Sequence, residues 1–121
     1  MKTIFLVDDN ETNLETARLI LDGKYKVYAM TSATRMFELL NKIKPDLILL
    51  DLDMPNMTGY EAMEQLKKST NGDIPVIFLT AISKHEDVVM GIKKGVVSYI
   101  IKPYHEELLL SQVEWVLKGR T

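Results

Sequence analysis

Apolar residues in this chain fall into two alternating rhythms. Five short apolar runs recur, Ile4 to Val7, Tyr25 to Ala29, Leu47 to Leu50, Val76 to Leu79 and Tyr99 to Ile101, of which the first, third and fourth are almost continuously apolar. Those three are expected to be strands buried on both faces of a parallel sheet. The second run carries Lys26 among aromatic residues, which suits an outer strand. Between the runs, apolar residues recur three to four positions apart, as on one face of a helix. Leu14, Ala17 and Leu21 do so, then Met36, Leu39, Leu40 and Ile43, then Met63 and Leu66, then Val88, Val89 and Ile92, and finally Leu109, Leu110, Val113, Val116 and Leu117.

Start and stop signals bound these segments. Thr58 with Glu61, and Ser83 with Glu86, have the spacing of a capping box, and Ser32 is placed to cap the second helix. Gly23 and Gly95 stand where helices should end. The order is strand then helix, five times. That alternation predicts an α/β fold, a doubly wound (βα)5 parallel sheet of the flavodoxin-like kind with right-handed crossovers and helices on both faces. No linker, repeat or low-complexity stretch divides residues 1–121, so a single domain is expected.

Bulk properties narrow the function classes. The chain has 121 residues, 46% hydrophobic and 26% charged, an ordinary globular balance. A net charge of -2 gives no footing for a nucleic-acid or membrane surface. Cysteine is absent, which excludes disulfides, a thiolate nucleophile and zinc–cysteine sites. The N-terminal apolar run is too short for a secretory signal and ends in two acids, and nothing approaches the ~20 apolar residues of a membrane span. A cytoplasmic location is expected.

The chemistry sits where the strands end. Asp8 and Asp9 follow the first run, Asp51 the third, Thr80 the fourth and Lys102 the fifth, while the second ends in Ala29-Met30-Thr31 without a charge. In open α/β sheets ligands bind beyond the carboxyl ends of the strands, at the point where strand order switches. An order of 2-1-3-4-5 would gather every polar strand end into one crevice and leave the uncharged end outside. A single Asp after a strand is an ordinary turn or cap residue, but five strand-end groups together are a site. Three carboxylates in one cleft repel one another, and an oxygen-only donor set of this kind suits Mg²⁺. Asp51 could then attack phosphorus as a carboxylate nucleophile, with Lys102 and Thr80 serving oxygens of the transferred group.

The runs Val7-Asp8-Asp9-Asn10, Asp51-Leu52-Asp53-Met54-Pro55-Asn56-Met57-Thr58-Gly59, Pro75 to Ala81 and Tyr99-Ile100-Ile101-Lys102-Pro103-Tyr104 together resemble the receiver domains of two-component response regulators, over essentially the whole chain. The resemblance implies a phosphorylation-activated switch in a phosphorelay and not a turnover enzyme: the chain would catalyse only its own phosphorylation and dephosphorylation. Asp51 would be the phospho-acceptor. Asp9 would bind Mg²⁺ directly, Asp8 through water, and Asp53 through its backbone carbonyl. Thr80 and Lys102 would hold the phosphoryl group, Thr80 and Tyr99 would form the switch pair, and Lys102-Pro103 would be a cis bond. The implied donor is a phosphohistidine on a histidine kinase or phosphotransfer protein, with small acyl phosphates as substitutes. The implied output is a downstream effector or an attached output domain, read through the fourth helix, fifth strand and fifth helix.

Departures and alternatives accompany that resemblance. Val96 replaces a common Ala, Tyr104 stands where Phe is common, and Asp53 and Ile82 occupy variable positions that influence the lifetime of the phosphorylated state. Tyr99 reads equally well as a strand aromatic half-buried against the last helix. His85 and His105 read as surface residues at helix starts, and Trp115 as core or interface. Two rivals share parts of the pattern. A haloacid-dehalogenase-type phosphatase has an Asp-x-Asp like Asp51-Leu52-Asp53, but on its first strand. A flavodoxin-like FMN protein needs a phosphate loop where Asp8 and Asp9 stand. The chain is expected to be either a stand-alone receiver or a fragment of a longer regulator or hybrid kinase.

Overall fold

The computed structural model describes residues 1–81 and 95–119. Five strands are present: β1 (Thr3–Val7), β2 (Lys26–Met30), β3 (Leu47–Asp51), β4 (Val76–Ala81) and β5 (Ser98–Lys102). The helices are α1 (Glu11–Leu21), α2 (Ala33–Leu40), α3 (Gly59–Lys67) and, after β5, α4 (Glu106–Leu117), which is the fifth helix of the sequence pattern. The Ser83–Glu86 capping box, the Val88, Val89 and Ile92 stripe, Ile82 and His85 lie outside the described residues.

All strand pairs are parallel, in the order β2-β1-β3-β4-β5. Lys26 lies on an edge strand with its side chain exposed over the Tyr28 ring, as expected from its charge. Alternate residues of the central strands enter opposite layers. Phe5, Val7, Ile48, Leu50 and Phe78 join Met36, Ala62, Met63 and Leu66 beneath α2 and α3. Ile4, Leu6, Leu47, Leu49, Ile77 and Leu79 join Ala17, Leu21, Leu109 and Val113 beneath α1 and α4. Doubly covered strands explain why the β1, β3 and β4 runs are continuously apolar and not alternating. Trp115 belongs to neither layer. It is 42% exposed on α4, which removes the core alternative and leaves it at the surface.

Local signals set the helix ends. Ser32 accepts from Arg35 N–H at the start of α2, and Asn10 accepts from Asn13 N–H at the start of α1. After α1 the chain turns at Gly23, whose φ of +89° is a left-handed value that a side chain would disfavour. Thr58 and Glu61 form a complete capping box at α3: Thr58 Oγ1 accepts from Glu61 N–H at 3.2 Å and the Glu61 carboxylate accepts from Thr58 N–H at 3.1 Å. Thr58→Ala removes one half of that exchange and is expected to cost about 1 kcal/mol. Thermal melting should show a drop of a few degrees; an unchanged melting temperature would mean that the box is dispensable.

Candidate functional site

The register of the sheet decides which strand ends meet. Val7 pairs with Leu50 and Asp51 with Leu79, so the residues that leave β1, β3 and β4 emerge side by side. Thr80 pairs with Ile101 and Ala81 with Lys102, which brings β5 into the same row. The uncharged end of β2 falls on the far side of β1. The strand ends expected from sequence to share one crevice are therefore neighbours along one edge of the sheet.

Asp8 and Asp51 form the floor of the site. Asp8 is fully buried and Asp51 is 2% exposed, whereas Asp9 is exposed at the rim. Carboxylate oxygens from all three lie within 4.8 Å of one another. Lys102 reaches over from β5 and its Nζ lies 3.1 Å from Asp8 Oδ2 and 3.1 Å from Asp51 Oδ1. Backbone donors complete the cradle: Asn10 N–H donates to Asp8 Oδ1 at 2.9 Å and Asp53 N–H to Asp51 Oδ1 at 3.2 Å. Lys102-Pro103 is a cis bond.

One lysine cannot balance three carboxylates. Burial pushes the Asp51 carboxyl up to about 7 from 3.8, and the Asp8 charge and a hydrogen bond with Asp9 add to this against the pull of Lys102. Burial lowers the Lys102 ammonium, but the Asp51 and Asp8 charges outweigh it and the result is a raised value. The lysine is thus a fixed cation beside a carboxyl whose proton a further positive charge would displace into solvent. Oxygen donors without nitrogen or sulfur, two buried and one at the rim, fit a hard divalent cation.

Thr80 is 1% exposed, and its hydroxyl donates to the Ala81 carbonyl at 3.3 Å. Asp53 is exposed in the loop after β3, where Asn56 takes a φ of +72°. Tyr99 on β5 is 42% exposed. His105 is exposed at the α4 start and makes no side-chain cap, in keeping with a surface role.

Two contributors were not legible as site residues in the sequence. Tyr104 Oη donates to Asp8 Oδ2 at 2.7 Å across 96 residues of chain. Its only sequence signal was the departure from Phe two positions after Lys102. Gly59 is the other. A Cβ there would lie 2.6 Å from the Asp51 carbonyl oxygen and 2.9 Å from Leu52 Cα, so the start of α3 rests directly on the end of β3.

Comparison with known proteins converges on one group. The profile of the response regulator receiver domain matches residues 4–114. Protein PilH of Pseudomonas aeruginosa is 33% identical over 121 residues, covering 98% of this chain and 100% of that protein. A probable cyclic di-GMP phosphodiesterase of Vibrio cholerae is 39% identical over 119 residues, covering 98% of this chain but 27% of its own length. The chain spans about half the length of several other curated relatives. Among solved structures, the receiver domain of a signal-transduction histidine kinase from Syntrophus aciditrophicus superposes with a TM-score of 0.88 at 33% identity, covering 98% of this chain and 92% of that one.

Proposed function

Since the chain belongs to the response regulator receiver domain family, we propose that it is a phosphorylation-activated switch in a two-component phosphorelay, with Asp51 as the phospho-acceptor. The observation that carries this reading is the meeting of Asp8, Asp9, Asp51 and Lys102 at the ends of three different strands. Asp51 stands at the end of the central strand β3, with one oxygen held by Lys102 and Asp53 N–H. The other oxygen, which neither of these donors holds, would make the attack.

In the transfer step an Asp51 oxygen forms the new P–O bond as the P–N bond to a donor histidine breaks, and the imidazole takes a proton as it leaves. Hydrolysis later replaces the aspartyl oxygen on phosphorus with water and restores the carboxylate. Both steps load charge onto the phosphoryl oxygens, so catalysis is mainly positioning and charge neutralisation. Asp9, Asp51 and the Asp53 backbone carbonyl would hold Mg²⁺, with Asp8 acting through water. When bound, the cation would neutralise the trio and the developing phosphoryl charge. Lys102 would move from the carboxylates to a phosphoryl oxygen. Thr80 is one peptide from its present acceptor and would turn its hydroxyl to the phosphoryl group. In this reading the chain is not a turnover enzyme, because the phosphoryl group stays on its own side chain until water removes it.

The added group brings roughly -1.5 to -2 charge and three acceptor oxygens. Drawing Thr80 inward would open space for Tyr99, whose ring is 42% exposed. That motion would bias two pre-existing states of the face that contains β5 and α4. A kinase or phosphotransfer protein would supply the phosphoryl group, and an effector or attached output domain would read the face. No helix among the described residues is long and apolar enough to cross a membrane. In this reading the switch would act in the cytoplasm.

Incubation with acetyl phosphate and Mg²⁺, followed by intact-mass measurement and borohydride trapping, tests the proposal. The expected result is one labile phosphoryl group, dependent on Mg²⁺ and located at Asp51. Stable phosphorylation on another residue, or none at any Mg²⁺ concentration, would overturn it.

A further inference from the structure

Tyr104 has no part in the transfer just described, yet its hydroxyl is aimed at the most buried carboxylate of the site. A carboxylate offers about four lone-pair positions. On Asp8 three are filled: Asn10 N–H occupies Oδ1, while Lys102 Nζ and Tyr104 Oη share Oδ2. The Tyr104 ring packs on the layer that contains Leu79, Ile100 and Leu109, so the hydroxyl is held in place and not swung there by chance.

We propose that Tyr104 is a positioning residue that competes with the divalent cation for Asp8 and so weakens metal binding at the Asp8–Asp9–Asp51 cluster. A hydrogen bond from the hydroxyl stabilises the metal-free carboxylates and fills a lone pair that a cation, or its bound water, would use. The attraction of the cluster for a cation depends on its open lone pairs, and Tyr104 occupies one of them on Asp8. Phenylalanine at this position would keep the ring in its packing and delete only the competitor. This inference rests on the reading of the acidic cluster as a Mg²⁺ site.

Isothermal titration of the whole chain with Mg²⁺ is the test. Tyr104→Phe should bind Mg²⁺ about tenfold more tightly than the parent, the scale expected when a hydrogen bond to a charged group no longer opposes binding. Its melting temperature should fall without metal and recover with saturating Mg²⁺. A merely structural hydroxyl would lower melting equally in both conditions and leave the affinity unchanged, and that result, or weaker binding, would overturn the inference. Mg²⁺ binding that is absent in the parent, or that survives intact in Asp9→Ala, would sink the metal site itself and this inference with it. Should Tyr104→Phe not fold, the parent labelled with ¹³C-tyrosine decides: Mg²⁺ should shift the Tyr104 ring signals, and signals unmoved at saturation would refute the competition.

Discussion

Asp51→Asn should take up no phosphoryl group, and with divalent cations chelated it should be more stable than the parent at neutral pH. The first effect follows from removing the attacking oxygen, because an amide is no nucleophile toward phosphorus. The second follows from the crowding of charge that prepares Asp51 for its role. Its carboxyl titrates near 7 in the folded chain because of burial and the Asp8 charge, against an ordinary 3.8. An acid with a raised folded value binds its proton more tightly when folded than when unfolded. Between pH about 4 and 7 the unfolded chain has released that proton and the folded chain retains it, so rising pH favours unfolding. Below pH 4 the penalty is absent; above 7 it is complete, on the order of a few kcal/mol. The amide of the variant carries no charge at any pH. The stability difference in urea should therefore grow from pH 4 to 7, level off, and shrink when Mg²⁺ is added. Parallel pH profiles for the two proteins would show that Asp51 is not held at this cost. Phosphoryl uptake by Asp51→Asn would show that another residue is the acceptor.

Gly59→Ala is expected to disturb stability and phosphorylation together, although Gly59 bears no reactive atom. The added Cβ would meet the Asp51 carbonyl oxygen at 2.6 Å and Leu52 Cα at 2.9 Å, both backbone atoms that cannot rotate away. Gly59 N–H also donates to the Leu52 carbonyl at 3.0 Å, which ties the first turn of α3 to the end of β3. To relieve the clash, α3 must lift or β3 must bend, and either shift displaces Asp51 relative to Lys102. Overpacking of this kind costs about 1–3 kcal/mol. A gain in helix propensity of up to ~1 kcal/mol offsets part of it. Urea denaturation should show a net loss of about 1 kcal/mol. The acetyl-phosphate reaction should slow by about tenfold or more, as expected for a misplacement near 1 Å. A variant with parental stability and rate would show that this close approach is relaxed in solution.

Much of this site was written along the chain because each part depends on its neighbours. The continuous runs at Ile4 to Val7, Leu47 to Leu50 and Val76 to Leu79 announce strands covered on both faces, and the helical stripes between them announce the covers. Ser32, Thr58 and Glu61 fix helix starts through hydrogen bonds that span three residues. Asp8, Asp51, Thr80 and Lys102 are marked by their places at or just after strand ends, which local patterning also sets. The limits of such reading are visible in the second run, where the strand is Lys26–Met30 and not Tyr25 to Ala29. They are visible again in Trp115, whose helical spacing does not say which side of α4 faces water.

What no local pattern could fix is distance between residues remote in sequence. Strand order and register, which depend on how all the strands and their covering helices pack at once, place Lys102 between Asp8 and Asp51. The same packing seats Tyr104 on Asp8 across 96 residues and presses Gly59 onto the Asp51 backbone. Burial is likewise a property of the assembled layers, and it raises the Asp51 carboxyl and leaves the Tyr99 ring outside. The sequence by itself determined the kinds of groups, their strand-end positions and the fold that would carry them. Only the tertiary structure decided their contacts and charge balance, because electrostatic and steric energies depend on separations of a few ångströms that close only when distant segments meet.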